Sequence, residues 1–441
     1  MIMTNNKSKI GFVSLGCSKN LVDTEIMLKI LADGGYEIVA EDIAADIVII
    51  NTCAFIESAK RESIDNILDV AWLKENGSLK SIIVCGCLAE RYREEILKEL
   101  PEVDALIGVF SIRDILAAVK HAENKTGGKY VSLRPQDGFE AGGERILTTP
   151  EYSAYIKIAD GCGNRCSYCV IPSIRGRFSA RPAADILKEA RELSSIGVKE
   201  LCVVAQDTTA YPGLPGLLDN LCEIDGIEWI RLLYCYPDKI TDELIRTIKT
   251  RDKILKYIDM PIQHIDDKIL EAMNRPGGSE AVKSAVGRLR ESIPGVTLRT
   301  TVIAGFPGET RASFESLLEF LEETRFERLG SFIYSAEEGT PAAGFAGQVS
   351  QKEKERRQKI IMAQQARINH KLNQNKLRKT IRVLCEGFDS VGEVYYGRSE
   401  ADAPEIDGKV YFTAADRVNE GAFSDIKIES VLDYDLFGVK V

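Results

Sequence analysis

Short β-branched runs alternate with helical periodicity over residues 1–125 of this 441-residue chain. Lys9–Ser14, Ile47–Ile50, Ser81–Val84 and Ala105–Val109 read as strands. Apolar residues recur at helical spacing in Leu21–Ala32, Phe55–Leu73, Glu90–Leu100 and Ile112–His121. Strands that alternate with helices predict a parallel sheet covered on both faces. Residues 126–150, with Gly127-Gly128, Pro135, Gly138 and Gly142-Gly143, read as a linker. Across 151–350 six strand-then-helix units follow, with strands near Tyr155, Leu201, Trp229, Tyr257, Leu298 and Ser331. Six such units predict a partial (β/α)6 TIM-like barrel, whose chemistry belongs at the C-terminal strand ends. Residues 351–382 carry 11 Lys/Arg against two Asp/Glu around Ile360, Ile361 and Met362, which predicts an amphipathic connecting helix with solvated charge. Beyond it, 383–441 turn to short β runs punctuated by Gly387, Gly392, Gly397, Gly408 and Gly421, the pattern of a small all-β barrel. The fold class is α/β with a β-barrel appended.

Composition narrows the function. Hydrophobic residues at 44% and charged residues at 28% describe a globular chain. No apolar run approaches the roughly 18 residues of a membrane span, and the N-terminus lacks a signal-peptide core. A cytoplasmic protein with no membrane partner is expected. Eleven cysteines, an odd number, point to metal or redox chemistry rather than a disulfide framework. Three histidines argue against a histidine-rich metal site. The net charge of −10 speaks against a mainly nucleic-acid-binding role. Within 383–441 five basic residues face 13 acidic ones, and Asp402, Glu405 and Asp407 are placed on that acidic surface.

The chemistry gathers at Gly161-Cys162-Gly163-Asn164-Arg165-Cys166-Ser167-Tyr168-Cys169, directly after the strand-like AYIKIA. Three thiolates at C-x3-C-x2-C spacing suit one iron–sulfur cluster, and a cube with three protein ligands keeps one iron open. A structural zinc site is the competing reading, but no second cysteine pair stands nearby. Cys17, Cys53 and Cys87 each follow a predicted strand. Taken singly, each reads as a small buried hydrophobe. As a set they share one topological position, the carboxyl end of a parallel strand, where ligands collect. A second cluster is the natural occupant. Cys85, Cys202, Cys222, Cys235 and Cys385 read as core. Gln206 either binds a cofactor or caps a helix. His264 is either structural or catalytic. Arg175, Arg177 and Arg181 form either a solvated face or a carboxylate site. Gly305-Phe306-Pro307-Gly308-Glu309 is a rim loop but no P-loop, since no Lys-Ser/Thr follows.

The cysteine spacing, with Tyr168 before the last cysteine, resembles the radical S-adenosylmethionine (radical SAM) superfamily. Ser14-Leu15-Gly16-Cys17-Ser18-Lys19-Asn20-Leu21-Val22-Asp23-Thr24-Glu25, Asn51-Thr52-Cys53 and Gly86-Cys87-Leu88-Ala89 are similar to the three cysteine motifs of the methylthiotransferases. The first of these resembles the branch acting on a ribosomal protein more than the tRNA-modifying branch, as do Ala205–Tyr211, Tyr234–Pro237 and Pro261–His264. The resemblance implies two 4Fe-4S clusters, one on Cys162, Cys166 and Cys169 and an auxiliary one on Cys17, Cys53 and Cys87. It implies two SAM molecules, with Tyr168 and Gln206 as cofactor-binding candidates, and a C-terminal TRAM domain. The implied substrate is an aspartate of the small-subunit ribosomal protein numbered twelve, and the implied electron donor a flavodoxin or ferredoxin. A tRNA adenosine is the alternative substrate. A non-catalytic iron–sulfur sensor or electron carrier is the alternative of another class.

Overall fold

The computed structural model describes residues 7–40, 44–124, 127–136 and 142–441; Gly138 of the expected linker lies outside them. The first sheet runs β1 (Lys9–Ser14), β2 (Glu37–Val39), β3 (Ile47–Thr52), β4 (Ser81–Gly86), β5 (Ala105–Ile107) and β6 (Tyr130–Ser132). All pairings are parallel, in the order β2-β1-β3-β4-β5-β6. Every residue of β3 and β4 is buried, which explains their unbroken apolar runs. The edge strands β2 and β6 have three residues each, too few for a period to show. β6 also carries this sheet into the stretch read as a linker. The helix expected over 90–100 is two, Cys87–Tyr92 and Glu94–Glu99, separated at Arg93 with φ 45°.

The second sheet holds the six expected strands: β7 (Ser153–Lys157), then, past the short pair β8 (Ala159–Asp160) and β9 (Ser179–Ala180), β10 (Glu200–Val204), β11 (Trp229–Leu232), β12 (Ile254–Asp259), β13 (Thr297–Ala304) and β14 (Arg328–Ile333). They lie parallel in the order β14-β13-β12-β11-β10-β7 and do not close. A closed five-stranded barrel follows, built from β15 (Thr380–Asp389), β16 (Val394–Ser399), β17 (Val410–Thr413), β18 (Phe423–Leu432) and β19 (Asp435–Lys440). Among the described residues no helix is long and apolar enough to cross a membrane.

The three parts share one core. A single apolar cluster runs from Ile26 and Leu31 of the first domain through Tyr155, Cys202, Trp229 and Tyr257 inside the open barrel to Leu384 and Ala403 of the small barrel. Cys85 belongs to that cluster too. Cys222 and Cys235 sit in the layer between barrel and helices, and Cys385 in the core of the small barrel.

The small barrel docks at the N-terminal ends of the barrel strands, through charges. Glu200, the first residue of β10, accepts from Arg231 (2.9 Å) and from Arg398 of the small barrel (2.6 Å). Arg328, which opens β14, pairs with Asp402, and Tyr257 donates to Asp407 at 2.6 Å. Asp402 and Asp407 therefore face inwards as docking residues, and only Glu405 of the three is exposed. Their charge goes to barrel arginines, which is why a tally of acidic residues placed them wrongly on the surface. The connecting helix Gln351–Gln374 also departs from expectation. Buried Lys354 donates to the Tyr334 carbonyl, Gln365 to that of Phe326 and Asn369 to that of Glu327. A polar inner face stitches this helix to the β14 region.

Burial works against the Glu200 carboxylate, but the Arg398 and Arg231 guanidiniums overcome it and hold its pKa at about 2. A depressed carboxyl contributes stability above its unfolded value, 4.5, and that contribution drains as pH falls towards 2. Glu200→Ala leaves two buried guanidiniums without their shared partner and is expected to cost about 3–5 kcal/mol near neutral pH. Denaturant unfolding should show a deficit that narrows below pH 4.5, with limited proteolysis releasing the small barrel. An unchanged midpoint would show that the docking does not depend on this ion triad.

Candidate functional site

Three loops bring the first cysteine set together. Cys17 precedes the helix Ser18–Asp33, Cys53 follows β3, and Cys87 opens the helix after β4. The Asn51-Thr52 pair before Cys53 ties these loops to one another. Asn51 Nδ2 donates to the Asn20 carbonyl and to Thr24 Oγ1, both at 2.9 Å. Thr52 Oγ1 donates to the Cys85 carbonyl and accepts from Leu88 N–H. Asn20 Nδ2 in turn donates to the Leu15 and Thr52 carbonyls. Gly16 has φ 93°, and a Cβ there would stand 2.8 Å from Cys53 Cβ. Gly86 has φ 89°, and its Cβ would overlap Asn51 Oδ1. Glycine is required where the chain turns back this closely.

The barrel set follows the same rule. Gly161 precedes Cys162 at φ 70°, and its Cβ would overlap the Arg177 carbonyl oxygen. Cys162 N–H donates to the Gly176 carbonyl (3.1 Å), Cys169 N–H to that of Cys166 (3.1 Å), and Cys169 Sγ accepts from Ile171 N–H (3.5 Å). In both domains a left-handed glycine thus stands directly before a cysteine at a strand end.

A buried polar seam joins the two sets. Arg175, 1% exposed, donates to Asp160 (2.9 Å) in its own domain and to Asn20 (2.7 Å) and Asp23 (2.9 Å) in the other. Lys157, the last residue of β7, pairs with Asp23 and Asp160. Alongside, Arg145 bridges Glu25 (2.6 Å) and Glu189 (3.0 Å), and Arg181 pairs with Glu189. On the far side of the barrel, Glu337 beyond β14 accepts from Glu57 N–H (2.8 Å) and from Arg91 (3.1 Å). Arg91 also donates to the carbonyl of Ala54, next to Cys53. Cys17 is exposed, yet burial is the largest single influence on its thiol and works to raise its pKa. Lys19 and Arg175 outweigh that burial and lower its pKa. Burial pushes Cys87 and Cys169 up to about 12.

Comparison with known proteins follows these boundaries. Residues 9–108 match the UPF0004 family, described as uncharacterized, 156–321 the radical SAM superfamily and 379–441 the TRAM domain. "Ribosomal protein uS12 methylthiotransferase RimO" of Geobacter sulfurreducens is 48% identical over 99% of this chain and 99% of its own length. The protein of that name from Thermoanaerobacter sp. is 48% identical over 97% and 99%, and that from Clostridioides difficile 46% over 98% of each. The chain belongs to the RimO family. Solved structures agree on the fold. The radical SAM methyltransferase TsrM of Kitasatospora setae aligns with TM-score 0.55 at 14% identity over 76% of this chain and 74% of its own. The cobalamin-dependent radical SAM enzyme OxsB gives 0.51 at 16% over 76% and 54%.

A RimO-family chain is a radical SAM enzyme, and that superfamily implies a 4Fe-4S cluster and SAM. The residues fit such a group. Both cysteine sets offer soft thiolates on loops whose glycines leave no room for a side chain. Among the described residues no three His, Cys, Asp or Glu side chains converge tightly enough for a single ion. A four-iron cube holds its ligand sulfurs further apart than one ion does.

The remaining candidates sort by environment. Gln206 donates to Asp160 (2.8 Å) and leaves its Oε1 buried with no hydrogen-bond partner. The helix-capping alternative falls to its neighbour, since Asp207 accepts from Ala210 N–H. Tyr168 sets its ring edge-on to Phe306, centroids 6.4 Å apart. His264 is fully buried, its Nδ1 accepting from Asp266 N–H (3.0 Å), and burial lowers its pKa to about 4. Arg175 and Arg181 are buried and already paired, so neither a solvated face nor an open carboxylate site describes them; Arg177 is exposed. Glu309 accepts from Gly305 and Phe306 N–H and pairs with Arg357 of the connecting helix. Sequence reasoning missed Lys157, Asp160, Arg91 and Glu337. A lysine inside the apolar run AYIKIA was the available signal.

Gly161→Ala should force the Cys162 loop off the Arg177 carbonyl and lower both the thermal midpoint and iron retention. Gly163→Ala, whose Cβ would lie 4.0 Å from Phe178 Cβ, should change neither. Iron analysis with differential scanning calorimetry decides; equal behaviour of the two variants would remove the steric requirement at Gly161.

Proposed function

We propose that this chain inserts a methylthio group at the β-carbon of an aspartate in ribosomal protein uS12. One observation carries the reading: two cysteine sets in different domains are joined by a single buried seam, in a chain that aligns end to end with RimO proteins. Cys162, Cys166 and Cys169 would hold one 4Fe-4S cluster, and Cys17, Cys53 and Cys87 a second. When bound, these clusters and SAM supply the radical that removes hydrogen and the sulfur that replaces it.

The chain's own residues do the positioning. Arg175 and Lys157 fix the spacing of the domains through Asp23 and Asp160. Gln206 Oε1 and Tyr168 stand beside the barrel cysteines as groups that would orient SAM. Burial of Cys53, Cys87, Cys162 and Cys166 limits the access of water to a reactive carbon radical. Labour divides by domain on this reading, with 1–125 for the auxiliary cluster, 151–350 for radical generation and 383–441 for presenting substrate. The reaction needs an electron donor such as flavodoxin or ferredoxin and takes place in the cytoplasm.

A tRNA adenosine is less well supported as substrate. The feature that favours it is the basic 351–382 stretch, and there Lys354 and Arg357 are buried against the barrel. The acidic balance of 383–441 also disfavours phosphate contacts.

Anaerobically reconstituted protein should carry about eight irons, and the triple variant Cys17→Ala/Cys53→Ala/Cys87→Ala about half. That variant should still cleave SAM to 5′-deoxyadenosine but leave uS12 unmodified. Mass spectrometry of uS12 and of tRNA from cells with and without the gene tests the substrate. A methylthio group lost from tRNA but kept on uS12 would overturn the reading.

A further inference from the structure

Lys19 is 6% exposed, near the start of the helix Ser18–Asp33 and two residues from Cys17. Its ammonium lies 3.4 Å from the centroid of the Tyr234 ring, which the barrel supplies just beyond β11. The other buried cations of this interface are matched by carboxylates. Arg175 and Lys157 share Asp23 and Asp160, Arg145 has Glu25 and Glu189, and Arg91 has Glu337. Arg275, beside the barrel cysteines, donates to the Pro261 carbonyl and stacks on Tyr236. Among the described residues no carboxylate pairs with Lys19. A buried ammonium with no carboxylate partner is costly, and an aromatic face offsets only part of that cost.

Tyr234 is itself held at an unusual backbone angle, φ 62°. Its N–H donates to Asp259 Oδ2 (3.1 Å) and its carbonyl accepts from Thr208 N–H (3.0 Å), so the surroundings enforce that conformation. Strain of this kind in a non-glycine residue marks a side chain placed for a purpose. Here the ring holds the Lys19 ammonium close to the exposed Cys17.

We propose that Lys19 grips the side-chain carboxylate of the residue to be modified, and so selects an acidic side chain over a neutral one or a nucleobase. This rests on the uS12 reading above. A carboxylate entering between the domains would give Lys19 the carboxylate partner that the other interface cations have, through a charge-assisted hydrogen bond. A neutral group would leave the ammonium buried and unanswered, which is the basis of strong discrimination. The competing role is balance of the charge on Cys17 alone.

The test uses full-length holoenzyme carrying Lys19→Met, which keeps length and removes charge, Lys19→Gln and Lys19→Arg. Affinity is measured for labelled uS12 and for its target Asp→Asn form, with iron content and EPR spectra recorded for each enzyme. Wild type should favour the aspartate form about 10- to 100-fold, the scale of one charge-assisted hydrogen bond. Lys19→Met should bind the two forms equally with wild-type iron and spectrum, while Lys19→Arg keeps a preference. A Lys19→Met enzyme that still prefers aspartate overturns the proposal, as does a wild type with no preference. Iron lost from both Lys19→Met and Lys19→Gln assigns the residue to Cys17 instead, and also overturns it. Wild-type enzyme that modifies tRNA and not uS12 removes the underlying reading. That outcome is distinct, because it appears before any variant is made.

Discussion

Asp23 cannot be satisfied inside its own domain. It is a buried carboxylate on a helix whose other face packs on the first sheet, and its partners Lys157 and Arg175 both come from the open barrel. Separating the domains would leave an acid on one side and two cations on the other, each needing water that a packed surface admits poorly. Breaking such a pair one partner at a time costs several kcal/mol, although the intact pair contributes little net stability. The seam is therefore a device of register more than of strength. It fixes where the helix after Cys17 sits relative to β7 and the Cys162 loop.

The opposite end of the barrel repeats the solution with different residues. Glu200 holds Arg231 and Arg398, and Asp402 and Asp407 answer Arg328, Tyr257 and Arg299. An open six-stranded barrel has polar groups at both ends of its interior, and each end is closed by a neighbouring domain of complementary charge. The acidic residues most deeply placed in the small barrel are thus structural. The acids left on its surface include Glu405, Asp425 and Glu429.

Most of this architecture was legible in the chain. β1 begins and ends at the residues that alternation marks, and each of the six barrel strands covers its expected centre. Buried parallel strands announce themselves because cover on both faces favours continuous apolar runs. The three-residue edge strands stayed hidden, since a period cannot be read over so short a run. The helix around 90–100 broke at Arg93, where its left-handed backbone overrides an unbroken amphipathic pattern. Burial of charge was the largest blind spot. A count of Asp and Glu carries no depth, so Asp402 read like Glu405. The cysteines were different, because position after a strand is a topological property that sequence order preserves. What order could not give was the partner of each polar residue across the domain boundary, such as Arg175 for Asp23 or Arg91 for Glu337.

Glycine placement connects the two kinds of information. Gly16, Gly86 and Gly161 each stand one residue before a cysteine of the two sets, each left-handed and each pressed on a neighbouring backbone or side chain. The turn sends the chain sharply back from the strand end, so that the following thiol lies against the next loop. Burial that pushes Cys87 and Cys169 up to about 12 keeps those thiols protonated in the free chain. Metal must then displace protons from a site already shaped to receive it. The charge at the first set is tied to the seam, because Arg175 contributes both to the domain contact and to the charge felt by Cys17, Cys53 and Cys87. One buried guanidinium thus serves both the domain contact and the electrostatics of the first cysteine set.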